Sequence, residues 1–276
     1  MLNLMYITNR PEIARIAEDA GVNWIFVDME FIGKDIRQKG LDTVQNHHTV
    51  SDISKIKNAV HKANVLVRIN PIHDVIDGYF SSEDEINATI EAGADIIMLP
   101  FFKTVEEVRK FLGYVNGRAK TCLLVETPEA ALLIDDILEL PGIDMIHLGL
   151  NDLHLALGMK FMCELFADGT VDRLEENIKA KGIPFGFGGI ATLTGGDMPG
   201  SMVLKEHYRL GSSMVIVSRS FCNTDKITDL NEVKEIFNKG IADIRRLEKE
   251  AADAANYFTS NRTAVIGSVH NIVAKK

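Results

Sequence analysis

Two carboxylates in the middle of the chain follow short apolar runs and could together hold a metal ion. Glu126 comes directly after the run 122–125, and Asp152 follows the run 143–148 after a short turn. Apolar residues recur at helical spacing over 129–140, which predicts strand, helix and parallel strand. Both carboxylates would then lie at one edge of the sheet, where they suit a hard divalent cation. Alternatively, each acid lies at the start of a helix, as capping acids do.

One positively charged residue, Arg68, also lies near the end of a predicted strand. Arg68 lies near the end of the apolar run 64–70, and Asp28 and Glu30 end the run 23–30. The planar guanidinium of Arg68 could pair with a substrate carboxylate or stabilise an enolate oxygen beside a metal that polarises the keto group. It could equally neutralise Asp28 and Glu30 in a buried ion cluster. The residues alone leave both interpretations open.

Apolar runs alternate with helical patterns along most of the chain. Eight candidate strands cover 2–7, 23–30, 64–70, 95–100, 122–125, 143–148, 184–190 and 213–217. Near-continuous apolar strands alternating with helices predict an α/β protein with a single (β/α)8 TIM-type barrel. A doubly wound open sheet is the alternative, but no G-x-G-x-x-G motif follows the first strand. We predict the barrel over 1–225 and a C-terminal helical extension over 226–276, packed on the barrel or a neighbouring subunit. The tail 259–276 is expected to dock on a partner subunit or remain loose.

Composition narrows the possible functions. The chain has 276 residues and a net charge of −9, which argues against a nucleic-acid partner because such proteins present a basic face. No apolar run approaches the ~20 residues of a membrane span, and the first residues lack a signal-peptide pattern. The three cysteines are well separated and are most simply reduced thiols. We therefore expect a cytoplasmic protein that acts on a small molecule.

Five segments resemble the HpcH/HpaI class II aldolase family, which is related to the citrate lyase β-subunit. They are VDME, VRINP, GADIIMLPFFKTVEEV, VETPEA and IHLGLNDLHLALG, and they occur in matching order between about residues 7 and 219. The resemblance implies a modified (β/α)8 barrel that uses a divalent cation such as Mg²⁺, Mn²⁺ or Co²⁺. It also implies cleavage of a 4-hydroxy-2-oxo acid to pyruvate and an aldehyde, and a homo-oligomer, either a hexamer or a trimer.

The resemblance also implies roles for individual residues. Glu126 and Asp152 would bind the metal, and Arg68 would hold the pyruvyl end of the substrate. Asp28 would match the acid that orients the catalytic base. The substrate-binding residues would be Arg68 and the turn residues Leu150, Asn151 and Asp152.

One position departs from the family pattern. The aldolases carry a histidine directly after the glutamate of the second strand, whereas this chain has Phe31, which cannot take up a proton. His47 and His48 could supply a substitute base from a long loop over the barrel mouth, or could simply be exposed. The sequence thus favours a metal-dependent carbon–carbon lyase that acts through a pyruvate-type enolate, with an aldehyde or sugar as the other substrate. An acyl-CoA or citryl-type lyase and a non-catalytic barrel that binds a small acid are the alternatives.

Overall fold

Eight parallel strands close into a barrel. The structure, a computed structural model, describes residues 1–34, 46–76, 78–253 and 255–276. The strands are β1 Asn3–Ile7, β2 Trp24–Asp28, β3 Asn64–Arg68, β4 Ile96–Leu99, β5 Lys120–Val125, β6 Met145–Leu148, β7 Phe185–Ile190 and β8 Met214–Val217. They pair in chain order, and β8 closes the sheet against β1. The predicted (β/α)8 barrel is therefore confirmed, and the open sheet is wrong.

Helices cover the outside of this barrel. They are α1 Pro11–Ala20, α2 Val50–Ala59, α3 Ser82–Glu91, α4 Val105–Val115, α5 Pro128–Leu132, α6 Ile134–Leu138, α7 Leu150–Ala156, α8 Glu164–Ala167, α9 Thr170–Ala180, α10 Gly200–Leu210, α11 Leu230–Asp253 and α12 Phe258–Val273. Residues at the ends determine where the helices begin and end: α1 begins at Pro11, and Gly21 caps its C-terminus with a φ of 104°. The single helix predicted over 129–140 is instead two short helices, because Leu133 leaves the helical conformation between them.

Side-chain alternation along the strands decides which residues reach the barrel mouth. An inner core cluster contains Phe26, Leu66 and Leu124, one each from β2, β3 and β5. Successive side chains of a strand point to opposite faces, so residues two positions further on share the inner face. Those residues are Asp28, Arg68 and Glu126, and each ends its strand or follows it directly. The barrel geometry thus brings three predicted site residues to one opening.

The helix α11 packs along α1 on the barrel of its own chain. Glu248, which is almost fully buried, accepts a hydrogen bond from the backbone N–H of Leu2 at 2.6 Å. Arg245 donates to the carbonyl oxygen of Leu2 at 2.9 Å and to the side chain of Asn23 at 2.9 Å. These contacts tie the helix to the first strand and to the turn before the second.

The chain tail forms the helix α12 and is not loose. Asn261, Val265 and Val269 recur every four residues and are buried. Asn261 donates hydrogen bonds to Glu206 at 2.7 Å and to the carbonyl oxygen of Met202 at 3.2 Å, both on α10. The tail therefore docks on its own barrel. Within the described ranges, no helix is both long and apolar enough to cross a membrane.

Candidate active site

A cavity of about 770 Å³ opens at the carboxyl ends of the strands. Barrel enzymes place their chemistry at this end. Its lining includes the expected site residues Asp28, His48, Arg68, Glu126, Leu150, Asn151 and Asp152. His47 is exposed and lies outside the lining formed by the described residues. The loop expected over the mouth falls largely on 35–45, which lies outside the part of the chain that the structure describes.

Asp28 and Arg68 form a bidentate ion pair in the wall of the cavity. The Nε and Nη2 atoms of Arg68 donate to Oδ1 and Oδ2 of Asp28, each at 2.8 Å. Glu30 Oε2 lies 3.3 Å from Nη1 of Arg68 and 3.3 Å from Nζ of Lys34. Lys34 also lies 3.2 Å from Oδ2 of Asp28. Two acids and two cations therefore form a neutral cluster, which matches the ion-cluster interpretation of Arg68.

Arg68 nevertheless remains able to bind a ligand. Its side chain is 15% exposed and lines the cavity. A guanidinium has five N–H bonds; two of them form the hydrogen bonds to Asp28, and Nη1 also forms an ion pair with Glu30 at 3.3 Å. One hydrogen on each of Nη1 and Nη2 is left over from these contacts. The two carboxylates thus hold the guanidinium in a fixed orientation at the cavity wall, a geometry that would suit an anionic ligand.

The charges of this pair do not depend on pH in the neutral range. Burial alone would raise the pKa of Asp28, but Arg68, Lys34 and a hydrogen bond from Asn46 hold it well below its usual range. Burial also opposes the charge of Arg68, but Asp28 and Glu30 raise the pKa of its guanidinium well above the ordinary value. Asp28 is therefore an ionised hydrogen-bond acceptor and not a proton carrier.

His48 reaches Asp28 from the segment that leads into α2. Its Nδ1 accepts a hydrogen bond from the backbone N–H of Asp28 at 3.0 Å. Burial lowers the pKa of His48, although Asp28 and Asp52 act in the opposite direction. The ring is therefore neutral near pH 7.

Glu126 and Asp152 face the cavity from the end of β5 and the first turn of α7. Glu126 Oε1 accepts a hydrogen bond from the backbone N–H of Phe101 at 3.0 Å. Gly149 lies directly against Glu126, with no room for a β-carbon between them. Neighbouring strand ends can approach this closely because glycine has no side chain.

The donor set of Glu126 and Asp152 fits a divalent cation that keeps part of its water shell. Mg²⁺ is commonly held by one or two carboxylates together with water and substrate oxygens. Among the residues that the structure describes, no three His, Cys, Asp or Glu side chains are grouped to hold a metal. The two carboxylates of Glu126 and Asp152 are fewer than the four protein ligands of a closed structural zinc site. Glu126 and Asp152 are therefore candidate ligands of a divalent cation, together with water or substrate oxygens.

Phe31 is held away from the cavity. Its ring packs edge-on against Tyr79 with 4.9 Å between centroids and is 42% exposed. The backbone N–H groups of Phe31 and Ile32 both donate to Oδ1 of Asn70 at 2.9 Å. Asn70 in turn donates to the buried Glu85 at 2.9 Å. This network fixes the path of the chain just after β2.

Lys34 and Asn46 are cavity residues whose contacts with Asp28 the sequence did not predict. Lys34 is almost fully buried, and Asn46 donates to Oδ2 of Asp28 at 2.8 Å. The one available signal is the spacing of four residues from Glu30 to Lys34, which suits an ion pair on one helical turn. The surrounding segment shows no apolar period, so the sequence pattern alone does not predict a helix that would bring the two side chains together.

A family model matches this chain over residues 3–165, with the description HpcH/HpaI aldolase/citrate lyase. The match covers more than half of the 276 residues and includes the strands that bear the cavity acids. The chain belongs to the HpcH/HpaI aldolase/citrate lyase family. Members are carbon–carbon lyases that generally depend on a divalent metal. None of the curated proteins compared with the chain matches it.

Solved structures share this family's fold. An HpcH/HpaI aldolase from Desulfitobacterium hafniense DCB-2 has a TM-score of 0.59 and 17% identity, covering 88% of this chain and 93% of its own. An HpcH/HpaI aldolase/citrate lyase family protein from Burkholderia cenocepacia J2315 has a TM-score of 0.60 and 16% identity, with coverage of 84% and 94%. Citrate synthase SbnG has a TM-score of 0.59 and 17% identity, with coverage of 84% and 92%. At such identities the likeness shows the fold alone.

Proposed function

We propose that this protein is a divalent-metal-dependent lyase that cleaves or forms a 4-hydroxy-2-oxo acid through a pyruvate-type enolate. One observation carries the proposal: Glu126, Asp152 and Arg68 line a single cavity at the catalytic end of a family barrel. Two carboxylates and a guanidinium suit a 2-oxo acid, which has a carboxylate and a neighbouring oxygen that becomes negative. The substrates would be a small pyruvate-like acid and an aldehyde or sugar.

The residues around the substrate would have distinct roles. Glu126 and Asp152 would hold the metal, which when bound supplies Lewis acidity to the keto group. Arg68 would donate its remaining Nη hydrogens to the acid end of the substrate. Because Asp28 and Glu30 hold the guanidinium in place, those donors lose little freedom on binding. Asn151 and Leu150 would bind the substrate from the first turn of α7, as an amide donor and an apolar wall.

The position of Phe31 favours a second candidate. Position 31 is a phenylalanine whose ring packs against Tyr79, so this position provides no imidazole to the cavity. An acyl-CoA or citryl-type lyase of the same superfamily would need the metal and Arg68 but a different proton acceptor. Turnover of a CoA-linked substrate, with none of a free 4-hydroxy-2-oxo acid, would identify this alternative.

The test is turnover by metal-stripped protein with and without Mn²⁺. We expect pyruvate release from a 4-hydroxy-2-oxo acid, and decarboxylation of oxaloacetate, only after metal is added. Glu126→Gln should lose Mn²⁺ binding in a calorimetric titration, together with at least about 100-fold in turnover. Glu129→Gln is the matched control, because Glu129 is 47% exposed and pairs with Lys103 on the surface. Full activity of Glu126→Gln at saturating metal would refute the ligand assignment.

A further inference from the structure

The ring of His48 has a fixed orientation in the cavity wall. Its Nδ1 faces the backbone N–H of Asp28 at 3.0 Å, and that amide can only donate. Nδ1 must therefore be the unprotonated nitrogen. A neutral imidazole has one N–H, so the proton lies on Nε2. The contact with Asp28 selects one tautomer of His48 for the cavity.

This tautomer cannot work as a base without breaking its contact. Nε2 already carries a hydrogen and has no lone pair to accept another, and Nδ1 is occupied by the amide of Asp28. Protonation of Nδ1 would set an N–H against that backbone N–H. A neutral imidazole held by a backbone amide is instead suited to donate a hydrogen bond from its far nitrogen.

The charged groups around His48 support the same role. Asp28 lies beside it, but both carboxylate oxygens of Asp28 accept from Arg68, and Oδ2 also accepts from Asn46. Lys34 is 4% exposed and adds a positive charge to the same cluster. Asp28 therefore presents its backbone amide, and not a carboxylate oxygen, to the imidazole. Burial outweighs the charges of Asp28 and Asp52, which favour a protonated ring, and Lys34 and His47 also oppose those charges, so the pKa of His48 stays below its ordinary value.

We propose that His48 is a catalytic hydrogen-bond donor whose Nε2–H stabilises the oxygen of the aldehyde half of the substrate: as the enolate carbon bonds to the aldehyde carbon, the electrons of the C=O π bond move onto that oxygen and make it an alkoxide. This inference rests on the proposed function, in which the metal and Arg68 engage the 2-oxo acid half. The oxygen on the aldehyde carbon is then the second place where negative charge develops in the carbon–carbon step. His48 enters the cavity from the β2 side, where its ring contacts the backbone of Asp28, the residue whose carboxylate pairs with Arg68.

Histidine ¹⁵N spectra of the full chain test the tautomer without any assay of turnover. The chain has eight histidines, and the His48 resonances are those that disappear in His48→Gln. We expect an unprotonated Nδ1 and a protonated Nε2 near pH 7. A proton on Nδ1, or a doubly protonated ring, would overturn the proposal.

Two substitutions at position 48 test whether the imidazole donates a hydrogen bond or transfers a proton. Glutamine places an amide donor near the former Nε2 but cannot take up a proton, whereas alanine has neither ability. We expect kcat of His48→Ala to fall about 10²-fold, as for loss of one oxyanion donor, and His48→Gln to stay within about tenfold of wild type. His61→Gln is the matched control, because His61 is exposed and lies outside the cavity lining.

Equal losses in His48→Gln and His48→Ala would show that His48 carries a proton and would overturn the donor role. Unchanged kcat in His48→Ala would overturn it as well, since the ring would then be only part of the wall. Lack of metal-dependent turnover by the wild type would overturn the proposed function itself. The nitrogen spectra would still report the tautomer of His48 in that case, so the two failures are distinguishable.

Discussion

A β-carbon at Gly149 would lie 2.6 Å from the Cβ of Glu126 and 2.8 Å from its Oε2. Real β-carbons do not approach other atoms this closely, so the end of β6 must be glycine for Glu126 to keep its position. The glycine thereby takes part in orienting the proposed metal ligand, although it has no donor atom of its own. Mutation of residues that orient a metal ligand typically costs about 10- to 100-fold in metal affinity or activity.

Gly149→Ala should therefore weaken metal binding. The new methyl group displaces the Glu126 carboxylate, and we expect a loss of about 10- to 100-fold in Mn²⁺ affinity, measured by calorimetric titration. Gly113→Ala in α4 is the control, because a β-carbon there meets nothing within 4 Å. That change should leave metal affinity intact and stabilise the helix by about 0.5–1 kcal/mol. Unaltered affinity in Gly149→Ala would contradict the role of Glu126.

Arg68→Lys should impair turnover although it preserves the charge. An ammonium group cannot reproduce the paired 2.8 Å contacts with both oxygens of Asp28 while also facing a substrate. We expect kcat/KM for a 2-oxo acid to fall by about 10²-fold or more, in steady-state kinetics at saturating metal. Arg109→Lys provides the comparison, because Arg109 is 57% exposed and should tolerate the exchange. Equal kcat/KM in both variants would remove Arg68 from the proposed site.

Lys34→Met should destabilise the protein strongly. Lys34 is 4% exposed and pairs with Asp28 and Glu30, which are fully buried. Removing one partner of a buried ion cluster leaves charge that nothing offsets, at a cost of about 3 kcal/mol or more in the free energy of unfolding. Lys103→Met, at a residue 48% exposed, should change that energy by less than about 1 kcal/mol. Urea titrations of both variants measure the difference.

The ion pair also predicts how stability depends on pH. Burial by itself raises the pKa of Asp28, but Arg68 and Lys34 lower it well below the value of about 3.9 for an unfolded chain. A group with a lower pKa in the native state stabilises that state above the unfolded pKa and loses this contribution as the pH falls. We expect the free energy of unfolding of the wild type to drop more steeply between about pH 5 and 3 than that of Asp28→Asn. If the free energies of unfolding of the wild type and Asp28→Asn changed with pH in parallel, the partners of Asp28 would not be holding it ionised.

The sequence predicted the barrel and its acids because strong local patterns specify them. Continuous apolar strands, helices between them, and polar residues at the strand ends define a parallel barrel and its catalytic edge. Asp28, Arg68 and Glu126 could be placed together because each lies at the carboxyl end of a strand or directly after it. No long-range information is needed for that inference.

Other features depend on contacts that a linear pattern does not contain. Lys34 reaches Asp28 only because the chain turns after β2, and Asn70 directs that turn from the next strand. On the tail helix the buried residues recur every four positions, and the first of them, Asn261, is polar. Its partner Glu206 lies on α10, far away in the sequence. The role of Asn261 therefore becomes visible only in three dimensions.

The direction of the chain at Phe31 limits how the site could change in evolution. Asn70 holds two consecutive N–H groups there, and Tyr79 covers the ring on the outer side. A histidine introduced at position 31 would inherit this backbone and lie beside Tyr79, outside the cavity. A single codon change would therefore not restore a proton acceptor at the site. Any descendant that regained one would have to redirect the whole segment or recruit an acceptor from another strand.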